Sequence, residues 1–171
     1  KIKKPSRPEP IPPLKVRPKK LSVTEIKTLI RDPYSIYARH ILKIEPLERL
    51  DKFSSYALRG TVYHSIFEQF VMNWNSDADL KSHQENLEKI ASDVIIVGTS
   101  NKILQNFWRK GINDISLSFI KDEIERQQEA MPSAFERSGK FYIRGINFEI
   151  SGKADRIDLN KNGGAIIYDY K

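Results

Sequence analysis

The stretch that decides the fold is Gly152-Lys153-Ala154-Asp155-Arg156-Ile157-Asp158-Leu159-Asn160, then Lys161-Asn162-Gly163-Gly164, then Ala165-Ile166-Ile167-Tyr168-Asp169-Tyr170-Lys171. The middle segment contains an Asn-Gly pair, which is typical of a tight hairpin turn. The flanking segments contain β-branched and aromatic residues, which favour strands. The stretch therefore predicts two antiparallel strands, and the second, apolar strand of 165–168 is expected to be buried on both sides.

A further strand is predicted before this hairpin. Phe141 and Ile143 alternate with other residues, as do Phe148 and Ile150, and Arg144-Gly145 suits the turn between the two pairs. Together with the hairpin, this pattern predicts a three-stranded antiparallel meander.

The apolar positions change parity along the middle strand. Phe148 and Ile150 are at even positions, whereas Ile157 and Leu159 are at odd ones. A regular strand cannot change parity and keep one face buried. We therefore expect a bulge or a sharp bend near Gly152, and such irregularities are frequent beside active sites.

Before residue 130 the sequence has the period of helices. Ser22 and Glu25 form a capping box that begins a first helix, and Asp32-Pro33 ends it and begins a second. Further helices are predicted over about 57–74, about 87–98 and about 101–129. Helices followed by a meander predict an α+β fold, with a helical N-terminal portion packed on a mixed sheet.

Charge separates the first twenty residues from the rest. Residues 1–20 contain eight basic residues, one acidic residue and six of the nine prolines, whereas the remainder has 21 basic and 21 acidic residues. We predict a Pro/Lys-rich linker over 1–20 and one domain over 21–171. A solvated connector is favoured over a dedicated nucleic-acid arm, and either would attract phosphates.

Several classes of protein are excluded by composition. The sequence has no cysteine, which excludes a disulfide scaffold, a thiolate metal site and a zinc finger, and fits a reducing compartment. No apolar run approaches the ~20 residues of a membrane span. No Gly-x-x-x-x-Gly-Lys-Ser/Thr loop is present, so ATP hydrolysis by this segment is not expected. The start lacks methionine, and we expect a piece of a longer protein.

Two acids and a lysine carry the predicted chemistry. Asp169 and Lys171 are two residues apart on a strand and so project to one face, although this spacing alone favours a strand end that reaches solvent. Asp155 lies one strand earlier, and two carboxylates held close repel unless a cation lies between them. Oxygen ligands suit Mg²⁺ or Mn²⁺, and a lysine can help to deprotonate an attacking water. Asp158 is a weaker alternative because it has the opposite strand parity to Asp155.

One histidine is a candidate for the same site. His64 lies four residues before Glu68, and a helical wheel turns both away from the apolar stripe, towards water or a site. His64 could add a nitrogen ligand or contact the substrate, although a helical histidine is more often a surface or packed residue. His40 and His83 have no convincing partner in the sequence.

These pieces together resemble the PD-(D/E)xK nuclease signature in its RecB-like form. That form has a histidine in a helix after a glycine, then Gly-x-x-Asp-Arg-Ile-Asp, then an apolar strand that closes on Asp-Tyr-Lys. The corresponding segments are Arg59-Gly60-Thr61-Val62-Tyr63-His64, Gly152 to Asp158 and Ile166 to Lys171. The segment 32–40, Asp-Pro-Tyr-Ser-Ile-Tyr-Ala-Arg-His, is most similar to the nuclease domain of AddB-type helicase–nuclease subunits of the alphaproteobacterial kind.

The resemblance implies a restriction-endonuclease-like fold over residues 21–171. It also implies Mg²⁺- or Mn²⁺-dependent cleavage of DNA by an exonuclease that acts in double-strand-break repair and recombination. The expected location is the bacterial cytoplasm, and the expected partner is the helicase subunit of an AddAB-type complex. The site residues that it implies are the metal ligands His64, Asp155 and Asp169, the catalytic Lys171, and the weaker candidates Glu68 and Glu136.

Two departures from the pattern matter. Asp32 occupies the position where many AddB-type proteins have the first of four cysteines of an iron–sulfur cluster, so we predict no cluster. In the family pattern the lysine is followed by a helix with a Gln-x-x-x-Tyr element and by further core, whereas this sequence stops at Lys171. We therefore expect the C-terminal part of the fold to be missing and this fragment alone to be inactive.

A non-catalytic DNA-binding or subunit-interface module with a nuclease fold is the main alternative function. An unrelated α+β domain with a chance motif is another.

Overall fold

The structure is a computed structural model, and it describes residues 9–45, 47 and 55–170. The helices are α1 (Val23–Arg31), α2 (Pro33–Tyr37), α3 (Ser55–Met72), α4 (Leu80–Gly98) and α5 (Lys102–Glu129), and the strands are β1 (Lys20–Ser22), β2 (Ala130–Ile143), β3 (Phe148–Asn160) and β4 (Ala165–Tyr168). Short 3₁₀ segments cover Leu14–Val16 and Arg144–Ile146, and a π-helical segment covers Ala38–Leu42. None of the helices in the described ranges is long and apolar enough to cross a membrane. The predicted α+β class is confirmed.

The strands form a mixed sheet in the order β1-β3-β2, and β4 also pairs with β3. β1 runs parallel to β3, with Leu21 opposite Ile150. β4 runs antiparallel to β3, with Ile157 opposite Ile167. The turn between β3 and β4 contains Gly163 at a φ of +78°, a conformation that glycine adopts without strain. The predicted hairpin is therefore confirmed, and β1 adds a parallel strand that the meander did not include.

The chain divides into two compact units, residues 1–48 with 139–152 and residues 49–138 with 153–171. In the first unit the predicted capping box begins α1. The Ser22 N–H donates to Glu25 Oε2 at 2.9 Å, and the Glu25 N–H donates to Ser22 Oγ at 3.2 Å. His40 Nε2 lies 2.7 Å from Glu25 Oε1. The expectation that His40 has no partner was wrong.

The second unit has one apolar core, to which α3, α4 and α5 contribute. The buried apolar side chains of this core include Val62, Ile66, Phe67, Phe70, Leu87, Ile95, Trp108, Ile112 and Ile120. The first four of these side chains belong to α3. His83 is also buried, and its ring stacks on Trp74 with ring centroids 4.0 Å apart. His83 therefore has a partner that sequence spacing did not reveal, and burial lowers its pKa.

The buried residues of β3 are charged. Arg156 and Asp158 are both 0% exposed, whereas Leu159 is 44% exposed. Arg156 and Asp158 have the same parity as Phe148 and Ile150, which are partly buried, so β3 needs no change of parity. The prediction that Ile157 and Leu159 form the buried face was wrong, and the parity argument for a bend near Gly152 falls with it.

β4 differs from its prediction in a similar way. Ile167 is 66% exposed and Ala165 is also exposed, whereas Ile166 and Tyr168 are half-buried. The prediction that β4 is buried on both sides was wrong, because an apolar composition does not by itself supply a second covering layer.

The buried charges of β3 form an ion network with α5. The Arg156 guanidinium donates two hydrogen bonds to the Asp158 carboxylate, at 2.6 and 2.5 Å, and a third to Glu123 Oε2 at 2.6 Å. Gln127 donates to the other oxygen of Glu123 at 2.7 Å, and Arg126 Nη1 lies 3.6 Å from Oε2. Since each buried charge has an opposite partner and hydrogen bonds, its desolvation is offset. The network fastens β3 to α5.

Glu123→Gln should lower the free energy of unfolding by about 3 kcal/mol, because it leaves Arg156 buried without one of its two carboxylates. Asp122→Asn is the matched control, since Asp122 is the neighbouring acid, is 56% exposed and lies 3.7 Å from Arg126. Its loss should cost less than about 1 kcal/mol. Urea unfolding followed by circular dichroism measures both, and equal losses would contradict the role of the network.

The stability of the first unit should depend on pH through Glu25. Its pKa is lowered from 4.5 to about 2, chiefly by the Ser22 N–H, with burial opposing the shift and His40 adding to it. Because the pKa of Glu25 is lower in the folded state, its ionised carboxylate stabilises the folded first unit fully above pH 4.5, and this contribution is lost as the pH falls towards 2. Urea midpoints measured from pH 6 to pH 2.5 should therefore fall more steeply for the wild type than for Glu25→Gln. Parallel profiles would show that Glu25 does not contribute.

Candidate metal centre

Three side chains from three elements converge in the second unit. They are His64 of α3, Glu136 of β2 and Asp155 of β3, and one ligand atom from each lies within 4.8 Å of the other two. All three side chains are partly buried. An imidazole and two carboxylates are a donor set that suits a divalent cation such as Mg²⁺ or Mn²⁺. We call these three residues the metal centre.

The alternation of β3 places Asp155 in the metal centre. Successive strand residues project to opposite faces, so the burial of Arg156 and Asp158 on one face directs Asp155 to the other. Asp158 accepts two hydrogen bonds from Arg156 and is fully buried, so it does not replace Asp155 as a ligand. Of the two acids considered in the sequence, Asp155 thus belongs to the metal centre and Asp158 to the buried ion pair, whereas the role of Asp155 as a ligand stays a prediction.

The main chain of Tyr170 holds two of the three side chains. Its N–H donates to Asp155 Oδ2 at 2.8 Å, and its carbonyl oxygen accepts a hydrogen bond from His64 Nε2 at 2.9 Å. In a neutral imidazole this bond places the proton on Nε2 and leaves the lone pair on Nδ1. His64 Nδ1 lies 3.6 Å from Asp155 Oδ2. When the imidazole is neutral, two acceptor atoms face each other, an arrangement that a bound cation satisfies.

The ring of Tyr170 connects this main-chain segment to the core. Its centroid lies 5.6 Å from that of Phe67 and 6.2 Å from that of Phe119. Its hydroxyl oxygen lies 3.5 Å from Arg156 Nη1, at the edge of the buried ion network. Burial raises the pKa of the Tyr170 hydroxyl, so the side chain is neutral at ordinary pH. The position of the metal centre thus depends on core packing as well as on local sequence.

Glu136 reaches the metal centre through an unusual backbone conformation. Its φ is +50°, in the left-handed region that residues with a Cβ rarely adopt. Its carboxylate pairs with the ammonium of Lys153. The pKa of Lys153 is raised, first by this contact with Glu136 and further by the charges of Asp155 and Glu68. Glu68, predicted as a weaker candidate, therefore acts on Lys153 through its charge and is not one of the three residues of the metal centre.

The other two predicted residues lie at the end of the chain. β3 and β4 pair Arg156 with Tyr168, so Asp155 and Asp169 are the residues that adjoin this last pair along the chain. Asp169 is exposed and directly follows β4, and its role as a metal ligand stays a prediction. Lys171, the predicted catalytic lysine, lies outside the described residues.

The fold and the metal centre define an α+β protein that presents metal-ligating side chains beside a mixed sheet. Residues 20–171 match the PD-(D/E)XK nuclease superfamily, and the chain belongs to this superfamily.

Similar sequences occur in Rickettsia. An uncharacterized protein of Rickettsia felis (strain ATCC VR-1525 / URRWXCal2) is 32% identical over 163 residues, which cover 90% of this chain and 19% of that protein. An uncharacterized protein of Rickettsia bellii (strain RML369-C) is 30% identical over 156 residues, with the same two coverages. One of Rickettsia conorii (strain ATCC VR-613 / Malish 7) is 29% identical over 159 residues, again 90% of this chain and 19% of the relative. The chain thus spans about a fifth of the length of these relatives.

Substitutions at Glu136 should separate stability from metal binding. Glu136→Gly relieves the conformational cost of the left-handed backbone, about 1 kcal/mol, and also removes the carboxylate ligand. Glu136→Gln keeps this conformational cost and replaces the carboxylate with a weaker, neutral ligand. We expect both variants to bind Mn²⁺ at least about tenfold more weakly, but only the glycine variant to melt higher. Calorimetry of binding and of unfolding measures the two effects.

Asn147→Gly is the control for this comparison. Asn147 has a φ of +51° but is not one of the three residues of the metal centre. It should gain stability without any change in Mn²⁺ affinity. Unaltered Mn²⁺ binding in both Glu136 variants would remove Glu136 from the metal centre.

Proposed function

We propose that this chain is the nuclease module of a longer protein and that it hydrolyses DNA phosphodiesters with a divalent metal ion, Mg²⁺ or Mn²⁺. The observation that carries the proposal is the convergence of His64, Glu136 and Asp155 in a chain that belongs to a nuclease superfamily. The excess of basic residues lies in residues 1–20, a segment that would attract a polyanionic substrate, whereas residues 21–171 carry equal numbers of basic and acidic residues.

The chain's own residues would hold and tune the ion. A divalent cation in the metal centre would supply a Lewis acid for the phosphate and a more acidic water. His64 would bind it through Nδ1, because Tyr170 fixes the proton of the imidazole on Nε2. Glu136 and Asp155 would offset its charge, and the Tyr170 N–H keeps the Asp155 carboxylate in place before the ion arrives.

Hydrolysis needs one group to take a proton and another to supply one. The oxygen of water adds to phosphorus while one P–O ester bond breaks, so the water loses a proton and the departing sugar oxygen gains one. We assign Lys171 to orienting or helping to deprotonate the water, as the resemblance implies. Asp169 would share the ion with Asp155, and the support for this is that the two acids directly adjoin the paired residues Tyr168 and Arg156.

The setting of the reaction is a further part of the proposal. Its support is the resemblance of residues 32–40 to AddB-type subunits, and the relatives of about five times this length leave room for other domains. We propose an exonuclease activity in double-strand-break repair, in the bacterial cytoplasm and beside a helicase subunit. Co-purification of the intact protein with a helicase, together with degradation of linear but not closed circular DNA, is the expected result.

The catalytic assignment is tested by digestion of linear DNA by the intact protein, with Mg²⁺ or Mn²⁺. Asp155→Asn, His64→Ala, Asp169→Asn and Lys171→Met should each lower the rate by at least roughly 100-fold.

Glu149→Gln is the matched control for these variants. Glu149 is a carboxylate on the same strand as Asp155, and it pairs with Lys20 and Lys140. Its substitution should leave the rate unchanged. If the wild type binds Mn²⁺ and DNA but cleaves nothing, the chain is a binding module with a nuclease fold.

A further inference from the structure

Lys153 places a positive charge beside the metal centre, in contact with Glu136. Its ammonium makes an ion pair with the Glu136 carboxylate, and the negative charges of Asp155 and Glu68 also act on it. Lys153 and Asp155 are two residues apart on β3, so both project from the face that carries the metal centre. The Lys153 ammonium is therefore attracted by the same carboxylates that would bind a metal ion.

The contact between Lys153 and Glu136 is one that can be exchanged. The Lys153 side chain is 57% exposed and that of Glu136 is 34% exposed. Ion pairs exposed to this degree are weak, and the flexible four-carbon stem lets the ammonium move into solvent without a change in the main chain. A divalent cation and the Lys153 ammonium would thus compete for the same carboxylate.

The ammonium also has an effect when no metal ion is bound. Glu136 and Asp155 repel each other when both are ionised and no cation lies near. Lys153 lowers this repulsion, which helps to keep the two carboxylates close together. The same charge opposes the approach of a divalent cation, because like charges repel.

We propose that Lys153 is a tethered competitor of the metal ion, and that it sets the metal concentration at which the metal centre is occupied. Its ammonium neutralises Glu136 until a divalent cation displaces it. This inference rests on the proposed metal-dependent function. It differs from a role in which Lys153 orients Glu136 for the metal, since removal of a competitor strengthens metal binding and removal of an orienting group weakens it.

The test is the affinity of the intact protein for Mn²⁺, measured from the electron paramagnetic resonance signal of the free ion. Lys153→Met keeps most of the length of the side chain but removes its charge, and should bind Mn²⁺ roughly three- to tenfold more tightly than the wild type. Lys153→Arg keeps the charge and should change the affinity by less than about twofold.

Lys140→Met is the matched control at another site. Lys140 is also an exposed lysine that pairs with a glutamate, Glu149, at 3.5 Å. Its loss should leave Mn²⁺ affinity unchanged. In a Glu136→Gln background the gain from Lys153→Met should shrink to less than about twofold, because the shared carboxylate is no longer charged.

The outcomes separate this inference from the proposed function. Wild-type binding of Mn²⁺ with equal or weaker binding by Lys153→Met would overturn the competitor role and leave the metal centre standing. A gain that is equally large in the Glu136→Gln background would overturn competition at Glu136. Failure of every variant to bind Mn²⁺ would overturn both the competitor role and the metal-dependent function.

Discussion

A buried guanidinium between two carboxylates constrains the second unit. Arg156 is fully enclosed and binds Asp158 on its own strand and Glu123 on α5, so β3 cannot rotate or slide without leaving a charge unpaired in the interior. Because strand residues alternate, this requirement also decides where Asp155 projects. Arg156 thus stabilises the fold from one face of β3, and its neighbour Asp155 contributes to the metal centre from the other face.

Local signals in the sequence were sufficient for most of the elements. The capping box of Ser22 and Glu25 and the Asn162-Gly163 turn were recognised because each acts through hydrogen bonds or backbone conformations within a few residues. The buried face of β3 was not recognised, because burial was inferred from apolarity. Arg156 is buried through a partner, Glu123, that lies 33 residues earlier in the chain, and no local pattern reveals such a distant pair.

The residues of the candidate site also differ in whether local sequence signals reveal them. His64 and Asp155 could be predicted because they belong to a recognisable motif, and the structure brings them together. Glu136 was only a weaker candidate, since β2 was predicted around 141–143 and in fact begins at Ala130. Its position depends on a left-handed backbone conformation within a strand, which the sequence does not signal at a residue other than glycine. A role for Lys153 at the metal centre can be inferred only after Glu136 is known to lie beside it.

The two hydrogen bonds from the main chain of Tyr170 affect how this protein can change by mutation. Peptide groups are common to almost all residues, so most substitutions at position 170 leave a donor for Asp155 and an acceptor for His64, and proline alone removes the donor. The alignment of these two side chains depends instead on how many residues separate the β3–β4 pairs from Tyr170. The residue types of this segment can therefore vary more freely than its length, because one residue inserted within β4 would exchange the faces of the residues that follow.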